Sequence, residues 1–291
     1  MTILDKLNFK WEAVGSVPPH ELVDARRQLH HSVQLIAAAG KSLIPERSDD
    51  SHTSLHWNET EKAFEGETIG DSPALIVGLS PTNLTLYVKQ YNQDKLATYA
   101  LQDKTLDSAL SWLKSIIGDR GFTASKITLK MHYEIPPHSV GGGQTFRMDN
   151  PDHFEEIGIY FTNANSVLHA LNSTIPGTSK VRCWPHHFDI ATLITIDEDK
   201  SAEEARSIGI GLSPGDGGYD MPYFYISPWP TPDVQKTKLP DLPAGKWHTE
   251  GWTGARLLAS EFSSNREQAK IISNFVTGGI SACAEILKHR L

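Results

Sequence analysis

Residue types that support acid-base or metal chemistry concentrate in one short segment, WPHHFD (184–189). Side chains alternate between the two faces of a strand, so a regular strand here would place His187 and Asp189 on the same face. A carboxylate beside an imidazole fixes its tautomer and raises its basicity, and both side chains also bind divalent metals. His187 and Asp189 are therefore candidate catalytic residues, and the alternative is a structural hydrogen bond between them.

A glycine-rich segment, GLSPGDGGYD (211–220), carries the second set of candidates. Its glycines permit positive φ, and its carboxylates favour a cation or a hydroxyl-bearing ligand. The segment lacks the GK[ST] of a P-loop and the GxSxG of a serine hydrolase. Ser213 and Asp216 are therefore candidate ligand-binding residues, whereas the alternative is a tight loop between two strands.

Aromatic residues follow this segment in PYFYISPWP (222–230) and WHTEGW (247–252). Such side chains commonly line concave ligand sites, although aromatic strands also form ordinary cores. We expect a ligand-binding cleft in the second half, and its further candidate residues are Trp184, Tyr223, Trp229, Trp247 and His248.

Composition and charge narrow the function classes. The 291 residues include 27 Lys+Arg and 35 Asp+Glu, which gives a net charge of −8, and 39% of the residues are hydrophobic. This composition is typical of a globular protein, and an acidic chain without a run of Lys or Arg is a poor partner for nucleic acid or an anionic membrane. Because MTILDKLNFK (1–10) lacks the apolar core of a signal peptide, we expect a cytoplasmic location.

The elements that must position these residues follow from hydrophobic periodicity. In the first half we expect a helix over about 20–40, a second helix over 106–117 and a strand over 126–135. Between the helices, short β-like runs separated by turn residues predict an antiparallel meander: SLHWN (54–58), ALIVGL (74–79), LTLYVKQ (84–90) and LATYAL (96–101).

The second half repeats this order of elements. A helix is expected from Asp152 until Pro176, and a last helix from Ser264. The expected strands between them are KVRCW (180–184), FDIATLITI (188–196), ARSIGIGL (205–212), PYFYIS (222–227) and TGARLLASEF (253–262). PPHSVGGGQ (136–144) is the best internal linker, which predicts an N-terminal half at 1–140, a linker or loop at 141–150 and a C-terminal half at 151–291.

These elements predict an α+β fold with antiparallel sheets flanked by helices. The tetrapeptide GLSP occurs in both halves, at 78–81 and 211–214, each time after a strand that contains a tryptophan. One interpretation is an internal duplication that gives two similar halves. The other is a chance match between two strand-and-turn segments.

WPHHFD, SPGDGGYDMPYFYISPW and the Trp247 region resemble a family of uncharacterised bacterial proteins that carry W-P-x-H-F-D, then G-x-S-P-G-D, then P-Y-x-Y. The resemblance extends by pattern over most of the chain. It implicates Trp184, Pro185, His187, Phe188, Asp189, Ser213, Pro214, Gly215, Asp216, Pro222 and Tyr223. The family has no established activity, so the resemblance implies site residues but no reaction.

Two functions remain open. The first is non-catalytic binding of a small-molecule ligand in the aromatic, His- and Asp-lined cleft of the C-terminal half. The second is a metal-dependent or general-base hydrolase in which His187 and Asp189 act together with Asp216 or His248. A divalent metal is the cofactor to consider, and its site would require at least three convergent ligands.

Overall fold

The computed structural model describes residues 7–72, 74–201 and 204–289. Within these residues there are four α-helices and eleven β-strands. The helices are α1 (Val23–Leu43), α2 (Leu106–Gly118), α3 (Pro151–Thr174) and α4 (Gln268–Ile286). The strands are β1 (Leu55–Asn58), β2 (Ala63–Gly66), β3 (Leu75–Ser80), β4 (Thr85–Gln90), β5 (Lys95–Ala100), β6 (Arg182–Trp184), β7 (Asp189–Thr195), β8 (Ser207–Ser213), β9 (Tyr223–Trp229), β10 (Lys246–His248) and β11 (Gly254–Leu258). The strand pairings are antiparallel, so the predicted α+β class is confirmed.

The chain divides into two compact units. The N-terminal unit comprises residues 21–158 and 182–188. The C-terminal unit comprises the described residues up to His20, residues 159–181 and the described residues from Asp189 onward. The chain therefore passes from one unit to the other within α3 and returns for the short segment that contains β6.

In the N-terminal unit the strand order is β6-β1-β2-β3-β4-β5. Helix α1 packs on β2 and β3, and α2 packs on β4 and β5. Leu86 of β4 lies opposite Tyr99 of β5, whose ring stacks on Trp112 of α2 at 5.2 Å between centroids. Because side chains alternate along β4, Tyr87 and Lys89 lie on the opposite face of the sheet.

In the C-terminal unit the strand order is β10-β11-β9-β8-β7, and α4 packs on β8 and β9. The helix approaches closely at Gly279, where an added Cβ would lie 2.5 Å from Cδ1 of Ile226. Ile226 of β9 therefore faces α4. By alternation, Tyr223 and Tyr225 lie on the face away from α4.

The predicted strand over 126–135 is wrong. One turn of 3-10 helix (Ala124–Lys126) opens this segment, and no strand follows within it. Instead of pairing with a strand, the segment bonds to α1: Nζ of Lys41 donates to the carbonyl of Lys130 at 2.6 Å, and the hydroxyl of Tyr133 donates to Oε1 of Gln34 at 2.9 Å. The alternating pattern here therefore belongs to a segment that is hydrogen-bonded to α1 rather than to a strand.

Other elements are present with different boundaries. The strand expected over 253–262 ends at Leu258 because the Glu261 carboxylate accepts from the Leu258 amide at 2.9 Å and a 3-10 turn follows. Helix α4 begins at Gln268 rather than at Ser264. The short strands β2 and β10, of four and three residues, were not predicted.

The glycine-rich segment 141–150 lies inside the N-terminal unit. The amide of Arg147 donates to Oε1 of Gln28 at 2.7 Å, and an added Cβ at Gly141 would lie 2.6 Å from Cε1 of His31. The segment is therefore packed and hydrogen-bonded against α1, and Gly141 is required for that close approach.

Candidate functional site

The segment WPHHFD forms a turn between β6, which ends at Trp184, and β7, which begins at Asp189. The amide of Phe188 donates to the carbonyl of Trp184 at 2.7 Å, and Phe188 has a φ of 56°. The condition for placing His187 and Asp189 on one face, a regular strand through this segment, is therefore not met. Alternation does not place His187 beside Asp189, and the two residues belong to different compact units.

Helix α1 holds this turn from inside the N-terminal unit. The carbonyl of Pro185 accepts from Nε2 of His30 at 2.9 Å and from Nε2 of Gln34 at 2.7 Å. The His30 ring also stacks on Phe188 at 5.4 Å between centroids. Burial lowers the pKa of His30 to about 4, so the ring is neutral at pH 7.

The two histidines of the turn lie among aromatic rings. The His186 ring is 4.4 Å from that of His187, 5.7 Å from that of Tyr133 and 6.0 Å from that of Trp184. Burial, followed by the charge of His187, lowers the pKa of His186 to about 4. Trp184 is therefore a neighbour of these histidines in the N-terminal unit.

Asp189 instead forms part of the C-terminal unit, where its buried carboxylate accepts a short hydrogen bond from the hydroxyl of Tyr225. The Tyr225 side chain crosses Gly211 of β8, at which an added Cβ would lie 2.5 Å from the Tyr225 hydroxyl. Only glycine leaves room for this approach. Asp189 and Tyr225 are thus joined across the strand that separates them.

A second tyrosine–carboxylate pair lies beside the first. The hydroxyl of Tyr223 donates to Oδ2 of Asp216 at 2.5 Å, and Oδ1 of Asp216 accepts from the amides of Gly218 and Tyr219 at 2.7 and 2.9 Å. Burial and then the Asp216 carboxylate raise the pKa of Tyr223, which keeps the hydroxyl protonated. Ser213, opposite Tyr223 in the register, accepts from the Gly215 amide at 3.1 Å.

His248 joins this loop to the next one. The Tyr219 hydroxyl lies 2.8 Å from its Nδ1, and the carbonyl of Glu250 lies 2.6 Å from its Nε2. A carbonyl can only accept, so Nε2 carries a proton and donates to Glu250, which in the neutral tautomer leaves Nδ1 to accept from Tyr219. The His248 ring stacks on Trp252 at 4.5 Å, and the Arg256 guanidinium lies 5.5 Å from the Tyr219 ring centroid.

The structure thus brings together four of the predicted ligand-binding residues: Ser213, Asp216, Tyr223 and His248. Trp229 is 49% exposed at the far end of β9, about 20 Å from Tyr223 along the strand. The Trp247 indole donates to the carbonyl of Pro240 at 2.7 Å. These two tryptophans do not join the cluster.

Sequence reasoning missed Tyr219, Tyr225 and Arg256 in this cluster. It also missed a similar arrangement in the N-terminal unit, where the hydroxyl of Tyr87 donates to Oε1 of Glu65 at 2.6 Å. The available signal was the glycine of each GLSP tetrapeptide. Gly78 lies between Glu65 and Tyr87 in the register, and an added Cβ there would lie 2.5 Å from the Tyr87 hydroxyl.

Among the described residues, no group of three or more His, Cys, Asp or Glu side chains is arranged to hold a metal ion. The helices of the described part of the chain also lack the combination of length and hydrophobicity that a membrane span requires. No family model, curated protein or solved structure matches this chain. The resemblance to an uncharacterised bacterial family stays a prediction.

Proposed function

We propose that the C-terminal unit binds a small hydroxyl-bearing ligand at a tyrosine–carboxylate face formed by Asp189, Asp216, Tyr223 and Tyr225. The observation that carries the proposal is the pair of tyrosines, which lie two residues apart on β9 and each donate to a carboxylate. Both tyrosines lie on the sheet face away from α4, and Gly211 of β8 leaves room for the Tyr225 side chain to reach Asp189.

The chemistry of this face suits hydroxyl groups. A carboxylate oxygen has more than one lone pair, so an oxygen that accepts from tyrosine can also accept from a ligand hydroxyl. A phenol oxygen that donates to a carboxylate can accept a hydrogen bond from the ligand in return. The tyrosine rings add apolar area at low cost in conformational entropy. A polyol or a monosaccharide combines these donors, acceptors and apolar C–H surfaces.

The hydrolase alternative receives less support. That alternative pairs His187 with Asp189, whereas the Asp189 carboxylate accepts from Tyr225 and the His187 ring packs against that of His186. Both nitrogens of His248 have hydrogen-bond partners in neighbouring loops. Binding therefore agrees with the contacts of these residues better than proton transfer does.

A titration of isotope-labelled protein with D-glucose, D-mannose and myo-inositol, followed by NMR, tests this proposal. We expect saturable shifts of amides in β8, β9 and the loop around Asp216. The Tyr225→Phe and Asp216→Asn variants should weaken binding about tenfold, because each loses a charge-assisted contact. Tyr87→Phe is the matched control in the other unit. Shifts that fail to saturate, or that persist unchanged in both C-terminal variants, would contradict the proposal.

We also propose that the two halves arose by duplication. Support comes from the two GLSP tetrapeptides, which end β3 and β8, and from the glycine of each, over which a tyrosine of the next strand reaches a carboxylate. An experimental structure tests this origin by superposition of β2-β3-β4 on β7-β8-β9. The best superposition should place Gly78 on Gly211 and Pro81 on Pro214, and a better fit in another register would refute it.

A cytoplasmic location stays a prediction. Fractionation of cells that express the untagged chain, followed by immunoblotting, would test it directly.

A further inference from the structure

Residues 7–18 form neither helix nor strand, and two side-chain amides of the C-terminal unit bind their backbone. These amides belong to Asn163 of α3 and Gln268 of α4, which are 1% and 7% exposed. Oδ1 of Asn163 accepts from the amide of Glu12 at 2.8 Å, and its Nδ2 donates to the Glu12 carbonyl at 2.8 Å. Gln268 makes the same two bonds to Val14, at 3.0 and 2.8 Å. Two residues of the segment are therefore each held by both N–H and C=O.

This pattern of bonds recognises the backbone of the segment rather than its side chains. A neighbouring antiparallel strand binds a residue in the same way, through its N–H and its C=O together. In peptide recognition of this kind, the main-chain bonds supply affinity, and pockets for particular side chains supply specificity. Asn163 and Gln268 thus take the place of a strand edge.

Two side chains of the segment supply the specificity. The Trp11 ring lies 6.3 Å from that of Phe224 and 6.1 Å from that of Phe262, and its Nε1 donates to Oε1 of Gln268 at 2.9 Å. Val14 is 4% exposed. The surface therefore fits an aromatic residue followed three positions later by an aliphatic one. We call this surface the segment groove, and it is formed by Asn163, Phe224, Phe262 and Gln268.

The segment lies on the surface and is followed by a proline pair. Lys10, Glu12 and Ala13 are exposed, so the segment covers the groove without being enclosed by other elements. Pro18 and Pro19 fix φ and favour an extended backbone, and the division between the two units falls directly after this pair. Exchange of an identical element between two copies keeps its contacts and changes only such a connecting stretch.

We propose that the segment groove binds residues 9–14 of a second copy of this chain in exchange for its own, which joins two copies into a dimer. The second copy carries the identical segment, so the contacts described above are kept in the exchanged form. The chain's own segment competes at a high effective concentration, so the dimer forms as the protein concentration rises. The groove shares no residue with the tyrosine–carboxylate face.

Two variants that each lack one half of the contact test the proposal by complementation. Asn163→Leu removes the two bonds to Glu12 from the groove, and Trp11→Ala removes the aromatic anchor from the segment. A mixture of the two variants contains an intact segment on one chain and an intact groove on the other. We expect a heterodimer in sedimentation velocity, with a dissociation constant about tenfold below that of wild-type self-association, because both internal competitors are weakened.

Asn274→Leu is the matched control, because Asn274 is an exposed asparagine of α4. Mixed with Trp11→Ala, it should associate no more tightly than wild type does. Circular dichroism checks the fold of each variant. A folded mixture of Asn163→Leu and Trp11→Ala that stays monomeric would overturn the proposal, and so would equal association of the control mixture.

A labelled peptide keeps the test decisive if Asn163→Leu fails to fold. Fluorescein-labelled peptide of residues 7–17 is titrated into the full-length Trp11→Ala chain, whose Asn163 and Gln268 are unchanged. We expect a saturable rise in anisotropy, and a peptide with alanine in place of Trp11 should bind about tenfold more weakly. Anisotropy that does not saturate, or equal binding of the two peptides, would contradict exchange at this groove.

Discussion

The two units contain tyrosine–carboxylate pairs that differ in their third partner. In the N-terminal unit, Glu65 accepts from Tyr87 and also pairs with Lys89 at 2.6 Å. In the C-terminal unit, Asp189 accepts from Tyr225, and the second pair beside it is formed by Tyr223 rather than by a cation. One pair thus includes a cation, and the other is part of an aromatic surface.

The difference arises from single positions on the strand that carries the tyrosine. Residues two apart on a strand share a face, so Lys89 joins Tyr87 on β4 and Tyr223 joins Tyr225 on β9. When Tyr87 is matched to Tyr225, the position of Tyr223 is occupied by Thr85 on β4, and the position of Lys89 is occupied by Ser227 on β9. The two units share the glycine and the tyrosine that crosses it, whereas the carboxylates come from different register positions: Glu65 lies directly opposite Gly78, but Ala191 rather than Asp189 lies opposite Gly211.

Loss of the lysine should have the largest effect. Lys89→Met leaves the Glu65 carboxylate buried without its cation, and we expect a loss of about 3 to 5 kcal/mol in the free energy of unfolding. Urea denaturation measures this loss. The control is Lys104→Met, for which we expect a change below about 0.5 kcal/mol. Equal effects of the two substitutions would show that the Glu65–Lys89 pair contributes no stability.

Protonation of Glu65 at low pH should also lower the free energy of unfolding. The folded pKa of Glu65 is about 2 against an ordinary 4.5, so its contribution is complete above pH 4.5 and is lost as the pH falls towards 2. A shift of this size corresponds to roughly 3 kcal/mol. We expect Glu65→Gln to differ most from wild type near pH 7 and to converge with it near pH 2.

Denaturation curves at several pH values measure this convergence. Glu204→Gln, which alters an exposed carboxylate, is the matched control and should follow wild type throughout. A constant difference between Glu65→Gln and wild type from pH 7 to pH 2 would contradict the assigned titration.

Substitution of the two glycines tests what the units share. Gly78→Ala and Gly211→Ala each place a Cβ 2.5 Å from a tyrosine hydroxyl, so the ring must move away from its carboxylate. We expect both variants to lose about 2 kcal/mol by thermal or urea denaturation. Gly217→Ala is the control, because nothing lies within 4 Å of its added Cβ. If only one of the two variants lost stability, the glycines of the two units would not have the same role.

Much of the fold could be predicted because its signals are local. The apolar spacing of Leu29, Val33 and Ile36 indicated α1, and alternation along 84–90 indicated β4. The strand over 126–135 was wrong because alternation records which side chains are buried, not which element buries them. In that segment, hydrogen bonds form with side chains of α1 instead of with a neighbouring strand.

The candidate site was less predictable because its contacts depend on strand register. Glu65 and Tyr87 meet only because β2, β3 and β4 pair with Gly78 in the middle, which no local pattern encodes. The proposed pairing of His187 with Asp189 depended on another condition. It required a regular strand through WPHHFD, and residues 185–188 form a turn instead.

The smallest effect should come from the rim of the C-terminal cluster. His248→Gln removes the ring that accepts from Tyr219 and donates to the carbonyl of Glu250, and we expect a loss of about 1 kcal/mol. Because these bonds join two loops, amide exchange should accelerate in 216–220 and 249–252 and stay unchanged in β1–β5. His169→Gln, at an exposed position of α3, should change neither. Unchanged exchange in both loops would mean that the positions of Tyr219 and Arg256 do not depend on His248. The C-terminal cluster would then lack the stabilising side-chain partner that Lys89 provides for Glu65 in the N-terminal unit.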